Sequence, residues 1–328
     1  MGINLVISRR LISISFTMLL AATHSALAVY PERVIRAIVP FAAGGANDTV
    51  ARVIGPQLAN ALGQPVIIDN RPGAAGNIGI DITAKSAPDG YTIIFSASAS
   101  TQNPALFRKL PYDPIKDIQP IAELGYGPYA IVTNSALPVK NLKELIDYAR
   151  ANPGKLNGAA GGIGTRLSIE LFQIKQNLKV EIIPYNGTGP ATLAVLSGES
   201  DFAIMDTSAL IQHLKGDRMR AIAVASGKRL ASIPDVLTTI EAGLPDYQTG
   251  TTFGVYAAAG TPEPIVKRLH DELNKIVLLP AIAEQFKTLG INASQKTTEQ
   301  FSEDYRKEIA IWKEIVEKAK IPPVDDAP

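Results

Sequence analysis

From Val34 onward, short runs of β-branched and other apolar residues alternate with longer stretches whose apolar positions recur every three or four residues. This alternation predicts βαβ units around a largely parallel sheet with helices on its faces. Val34 to Val39 reads as the first strand, and Asp48 to Leu62 as a helix with Val50, Val53, Ile54, Leu58 and Leu62 on one stripe. Gly63 then stands where a helix end favours a left-handed residue. Pro65 to Asp69, Ile78 to Ser86 and Tyr91 to Phe95 follow as strand, helix and strand. A second series runs from about Tyr129 to Gly250, with strands at Ala130 to Val132, Lys179 to Ile183, Phe202 to Met205 and Arg220 to Val224. Thr252 to Ala258 reads as a strand returning to the first series, followed by amphipathic helices at Pro264 to Leu278, Ala281 to Leu289 and Thr298 to Lys320. The expected fold class is therefore α/β, with two Rossmann-like domains. Domain 1 comprises residues 29–128 and 252–328, and domain 2 residues 129–251. Two crossings of the chain make a hinge of two strands, and a cleft between the domains can open and close about it.

The N-terminus changes this picture first. Arg9 and Arg10, an apolar run from Leu11 to Ala22 and the small-x-small triplet Ala26-Leu27-Ala28 form a secretory leader over residues 1–28, with cleavage near Ala28. The run is shorter than the roughly 20 residues of a spanning helix, and no later segment reaches that length. The mature chain is expected to be a soluble periplasmic protein. Lysine and arginine number 32 against 31 acidic residues, with no long block of either sign, so nucleic acid is not an expected partner. Cysteine is absent, which excludes disulfides, thiolate metal sites and a cysteine nucleophile. Only three histidines occur, one of them His24 in the leader, so neither a zinc site nor histidine-based catalysis has much to work with. No metal or organic cofactor is implied.

The candidate chemistry lies in loops that leave a strand and enter a helix. Pro40 to Asp48 contains Phe41, Ala43 and Gly44, and its backbone amides at a helix start suit an anionic group. It lacks the Gly-Lys-Ser/Thr of a P-loop and the Gly-x-Gly-x-x-Gly of a dinucleotide site. Asp48 is read either as a cap for that helix or as a ligand contact. Asn70 to Gly79 is a second glycine-rich loop. Its Arg71 could pair with a carboxylate or fix the loop through an ion pair. Ser96 to Asn103 places small hydroxyl residues, Ser98 and Ser100 among them, on the rim. In the second series, Ala159 to Ser168 brings Gly164 and Thr165 to a helix start, with Arg166 directed to the far end of a dianion or to solvent. Pro184 to Ala191 does the same with Gly187, Thr188 and Gly189. Asp206 follows another strand, where it either caps a helix or meets the cleft; in the cleft it favours a solute carrying an amine or hydroxyl besides its acid. Trp312, in an apolar stripe with Ile309 and Ile315, reads as core.

Several of these strings occur together and in the order found in one family. They are Pro40-Phe41 with Ala43-Gly44-Gly45 and Asp48, Asn70-Arg71-Pro72-Gly73-Ala74 with Gly76 and Gly79, Pro88-Asp89-Gly90-Tyr91-Thr92, and Pro184-Tyr185 with Gly187, Gly189-Pro190-Ala191, Gly198 and Asp201. Over nearly the whole mature length the chain resembles the Bug-type, TctC-like solute receptors of tripartite tricarboxylate transporters. It departs from them after Gly164, where relatives place small hydroxyl residues followed by a histidine. The resemblance implies a periplasmic binding protein of the type II-like fold. It further implies a ligand carboxylate held mainly by backbone amides and waters between the Phe41 and Gly187 loops, and a monomer that delivers its solute to membrane transporter subunits. The solute class it implies is a small di- or tricarboxylate, acidic amino acid or aromatic acid, bound without chemical change. Two other readings remain at this stage, a periplasmic sensor subunit for a carboxylate and a serine hydrolase using the Ser96 to Ser100 run.

Overall fold

The computed structural model describes residues 30–324 other than 42, 186, 187, 212 and 215. The leader and Gly187 thus lie outside the described residues. The first half of the chain gives strands β1 (Ile35–Val39), β2 (Val66–Asn70) and β3 (Thr92–Ser96), with helices α1 (Ala46–Leu62), α2 (Asn77–Ala84) and α3 (Ala99–Leu106) between and after them. β4 (Ile118–Asn134) then runs for 17 residues. Beyond it come α4 (Leu142–Ala151), β5 (Asn157–Ala160), α5 (Ile163–Gln176), β6 (Glu181–Pro184), α6 (Thr188–Ser197), β7 (Phe202–Asp206), α7 (Thr207–Leu210) and β8 (Met219–Val224). The chain closes with β9 (Gly250–Ala258), α8 (Glu263–Val277), α9 (Pro280–Thr288), β10 (Asn292–Ala293) and α10 (Thr298–Lys318).

The strands form one curled sheet in the order β2-β1-β3-β9-β4-β7-β5-β6, with β8 and β10 also paired to β4. β1 lies parallel to β2 and β3, and β9 joins β3 antiparallel. The far half repeats this: β5 lies parallel to β6 and β7, and β4 joins β7 antiparallel. The two halves are thus two copies of a doubly wound unit, as the pattern of two βα series predicts, in the type II-like arrangement that the family resemblance implies. β4 belongs to both. It pairs with β9 from Ile118 to Pro128 and with β7 from Tyr129 to Thr133, so the hand-over falls at one peptide, 128/129. The sequence reading places only Ala130 to Val132 in this strand. The preceding stretch holds Pro120, Gly125, Gly127 and Pro128, and it joins the sheet through register shifts at Pro120/Ala122 and Glu123/Gly125.

Each half is covered on both faces, which is why its strands read as near-continuous apolar runs. In β1, Ile35, Ala37, Ile38 and Val39 are all fully buried. Ile35, Ala37 and Val39 pack with Val50, Ile54 and Leu58 of α1 and with Leu269 and Leu273 of α8; Ile38 packs on the other side with Ile80, Tyr305 and Ile309. Gly63 ends α1 in the left-handed region, as its position in the sequence predicts. α10 holds to both halves, because Trp312, Ile315 and Val316 cluster with Leu106 of α3 and Leu167 of α5. Among the described residues no helix is long and apolar enough to cross a membrane.

Candidate functional site

The carboxyl ends of β1, β3, β5, β6 and β7 all lead into helices, and in doubly wound folds ligands gather in the crevice at such ends. A cavity of about 530 Å³ occupies that place. One wall is Phe41, Gly45, Ala46 and Asn47 with Ala97 to Ala99 and Gln102; the other is Gly161 to Gly164, Thr188 and Asp206. Tyr129 of β4 with Thr251 and Phe253 of β9 make the floor. A second hollow, about 680 Å³, is bounded by residues between Pro104 and Asp117 and by Lys313 of α10, away from these strand ends.

Two long helices begin at the cavity. In α1 the first amide with a helical acceptor is Thr49, bonded to the Gly45 carbonyl; in α5 it is Arg166, bonded to the Gly162 carbonyl. The amides of Ala46 and Asn47 on one side and of Ile163 and Gly164 on the other therefore have no acceptor within their helices, and they sit at positive dipole ends. The first loop is braced from behind. Asp48 Oδ2 accepts from the Gly44 amide at 2.8 Å and from Arg52 Nε at 2.8 Å, and its Oδ1 accepts from Asn70 Nδ2 at 3.0 Å. Asn70 Nδ2 also donates to the Phe41 carbonyl at 3.0 Å. The Arg52 hydrogen bond is the main reason that the Asp48 carboxyl falls from its ordinary 3.8 to about 2.

The predicted site residues divide accordingly. Phe41, Ser98, Gly164, Thr188 and Asp206 line the cavity. Ala43, Gly44 and Asp48 instead border an adjoining hollow with Arg52. Gly45 is the N-cap of α1, so Asp48 caps from within the first turn by reaching back to Gly44. Ser100 is buried and donates to the Ala97 carbonyl, away from the rim expected for it. Thr165 likewise turns inward and donates to the Gly162 carbonyl at 2.9 Å. Gly189 is not among the lining residues. Arg71 pairs with Asp69 at 2.9 Å, the loop-fixing alternative, and Arg166 lies 3.9 Å from Glu170. Asp206 is the N-cap of α7 by position, but its side chain makes no capping bond; Oδ1 accepts instead from Thr251 Oγ1 at 3.0 Å.

Residue patterns alone do not single out Gln102, Tyr129 or Thr251. Gln102 Nε2 is buried without a hydrogen-bond partner, an unusual state for an amide donor. Thr251 Oγ1 stands 3.2 Å from the Tyr129 hydroxyl, so Tyr129, Thr251 and Asp206 form one chain of polar groups on the floor. Burial raises the Asp206 carboxyl above its ordinary 3.8, against the Thr251 bond, and burial followed by the Asp206 charge lifts the Tyr129 hydroxyl well above 10. Asp206 is partly exposed as a residue, yet its surface opens on the cavity and its carboxyl is shut from bulk water.

Residues 50–321 match the sequence profile of the tripartite tricarboxylate transporter family receptor. The chain belongs to that family. Among relatives, BugT of Bordetella pertussis is 36% identical over 291 residues, which cover 88% of this chain and 89% of BugT. Among solved structures, an R. palustris protein with adipate is 30% identical at a TM-score of 0.79, covering 90% of this chain and all of that one. MatC from Rhodopseudomonas palustris, with bound malate, is 33% identical at a TM-score of 0.75, covering 88% of this chain and all of MatC.

Proposed function

We propose that this receptor captures a small carboxylate in the 530 Å³ cavity, without chemical change, and passes it to the membrane subunits of a tripartite tricarboxylate transporter. The observation that carries this reading is the convergence of unpaired amides from two helix starts, one from each half of the sheet, on a single cavity. Each start favours an anion, and a carboxylate has two oxygens to divide between them. Closure then depends on the ligand, because only a bound anion compensates two positive ends brought together. Adipate and malate in two related structures are both small dicarboxylates, in keeping with this class. The lining offers no nucleophile with a base. Ser98 Oγ accepts from the Thr252 amide, and no histidine is among the described lining residues.

In this reading the leader directs export and is removed near Ala28, the receptor works as a monomer, and residues 29–128 with 252–328 turn as one body against 129–251. Phe41, Ser98, Gly164 and Thr188 are the contacts expected to face the solute. The test is a thermal-unfolding screen of protein stripped of carried-over solute against mono-, di- and tricarboxylates and amino acids. A ligand at 100 times its dissociation constant adds roughly 2.7 kcal/mol, a shift of several degrees in a chain of this size. A shift with one acid and its absence with close analogues is the expected result, whereas no shift with any carboxylate would overturn the reading. The intact mass of periplasmic protein checks the leader, with a start at or near Val29 expected.

A further inference from the structure

The charge balance of the cavity says more about the solute than its shape does. Helix starts supply partial positive charge from the backbone, enough to hold one carboxylate. Among the described lining residues there is no lysine, arginine or histidine, and the one formally charged side chain is negative, Asp206. No cationic side chain among the described residues lies within ion-pair distance of it. The partners of Asp206 are a hydroxyl, Thr251 Oγ1, and its own backbone amide. A receptor that closes on a plain diacid would therefore enclose the solute's second carboxylate with the Asp206 carboxyl, which must either repel it or first take up a proton, and both cost free energy that an ammonium group in the same place does not.

Resting on the capture proposed above, we infer that Asp206 is the specificity-determining residue of this cavity and receives the ammonium group of an amino carboxylate. The solute is then a zwitterion, with its carboxylate at the helix starts and its cation on the floor. Polarity around Asp206 fits this division. Tyr129 and Thr251 add hydroxyl oxygens that can accept from an ammonium's remaining protons. The unpaired Gln102 Nε2 donor lies beside Gly164 at the start of α5, as the Tyr129 hydroxyl does, so the floor meets that helix start there and one solute can reach both. An ammonium beside Asp206 would also reverse the effect of burial on that carboxyl and keep it ionised.

Calorimetry on stripped protein with three matched pairs tests this: L-glutamate and glutarate, L-aspartate and succinate, 4-aminobutanoate and butanoate. In the wild type, at least one ammonium-bearing member should bind tenfold or more tightly than its deamino partner. In Asp206→Asn that member should lose tenfold or more while its deamino partner gains affinity, because a repelling charge is gone. Deamino acids that bind the wild type as well as or better than their amino partners would overturn the inference and leave carboxylate capture standing. Failure of every acid, in these pairs and in the wider screen, would refute capture and this inference with it. Should Asp206→Asn not fold, as judged by its melting curve, the wild-type comparison decides alone.

Discussion

Asp48 offers the most direct test of how the first helix start is held. Its carboxylate ties the Gly44 amide, Arg52 and Asn70 together behind the loop that carries Phe41. Replacing it by asparagine keeps the shape and removes the charge. The fall of the carboxyl from 3.8 to about 2 corresponds to roughly 2.4 kcal/mol if nothing is screened, at 1.36 kcal/mol per unit. Arg52 is more than half exposed, so its share is screened, and we expect a loss of about 1 kcal/mol at pH 7. The sign with pH follows from the lowered native value. The stabilisation is complete above the unfolded-state value of 3.8 and is lost as pH falls through about 2. Near pH 3, midway between the two, the difference between wild type and Asp48→Asn should be about half that at pH 7. Urea unfolding of ligand-free protein at both pH values, followed by far-ultraviolet circular dichroism, measures it. An equal deficit at both would show that lost shape and not lost charge is responsible; no deficit at pH 7 would refute the bracing role.

Other substitutions probe the cavity and its supports. Gly164→Ala puts a Cβ 2.8 Å from the Tyr129 hydroxyl and 3.1 Å from Gln102 Nε2, so solute affinity measured by calorimetry should fall about tenfold or more, with little change in the ligand-free melting point. Gly79→Ala forces a Cβ within 2.9 Å of the Pro40 Cα, and should lower stability by about 1 to 3 kcal/mol; an unchanged melting point would contradict that close approach. Burial holds the Glu308 carboxyl above its ordinary 4.5, against bonds from Trp312 and Thr101. A raised native value means that this group's contribution is full below the unfolded-state value and is lost as pH rises through the native one. Glu308→Gln should accordingly melt at or above the wild type at pH 8 and match it near pH 4.5, and a lower melting point at pH 8 would count against the argument.

How much of this could be read beforehand depends on how local each signal is. The strands and helices from Ile35 to Ser96 follow their apolar periods to within two residues, because each element is amphipathic or apolar on its own account. β4 breaks that rule. Its first half is rich in proline and glycine and becomes a strand only because β9 lies beside it and two irregularities absorb the misfit. α3 was hidden for the opposite reason: Ser100, Thr101, Gln102 and Asn103 are polar yet buried, so the stretch has no apolar stripe. α4 is not among the expected elements, although Asn141 caps it and its apolar positions share a face. The glycine-rich helix starts that border the cavity were legible as helix starts, since they are contiguous in sequence. The floor was not: Tyr129 and Thr251 are 122 positions apart, and neither carries a signal until the strands pair.

The hand-over at peptide 128/129 bears on the order of events during capture. Tyr129, opposite Asp206, and Thr251, opposite Gly127, stand beside the point where the two halves share a strand. In the closure proposed above, groups beside that point would scarcely move, while Phe41 and the start of α6 at Thr188 would travel further. An entering molecule would then meet the same polar groups on the floor whether the walls are apart or together, and would be sorted by charge there before the helix starts close on its carboxylate.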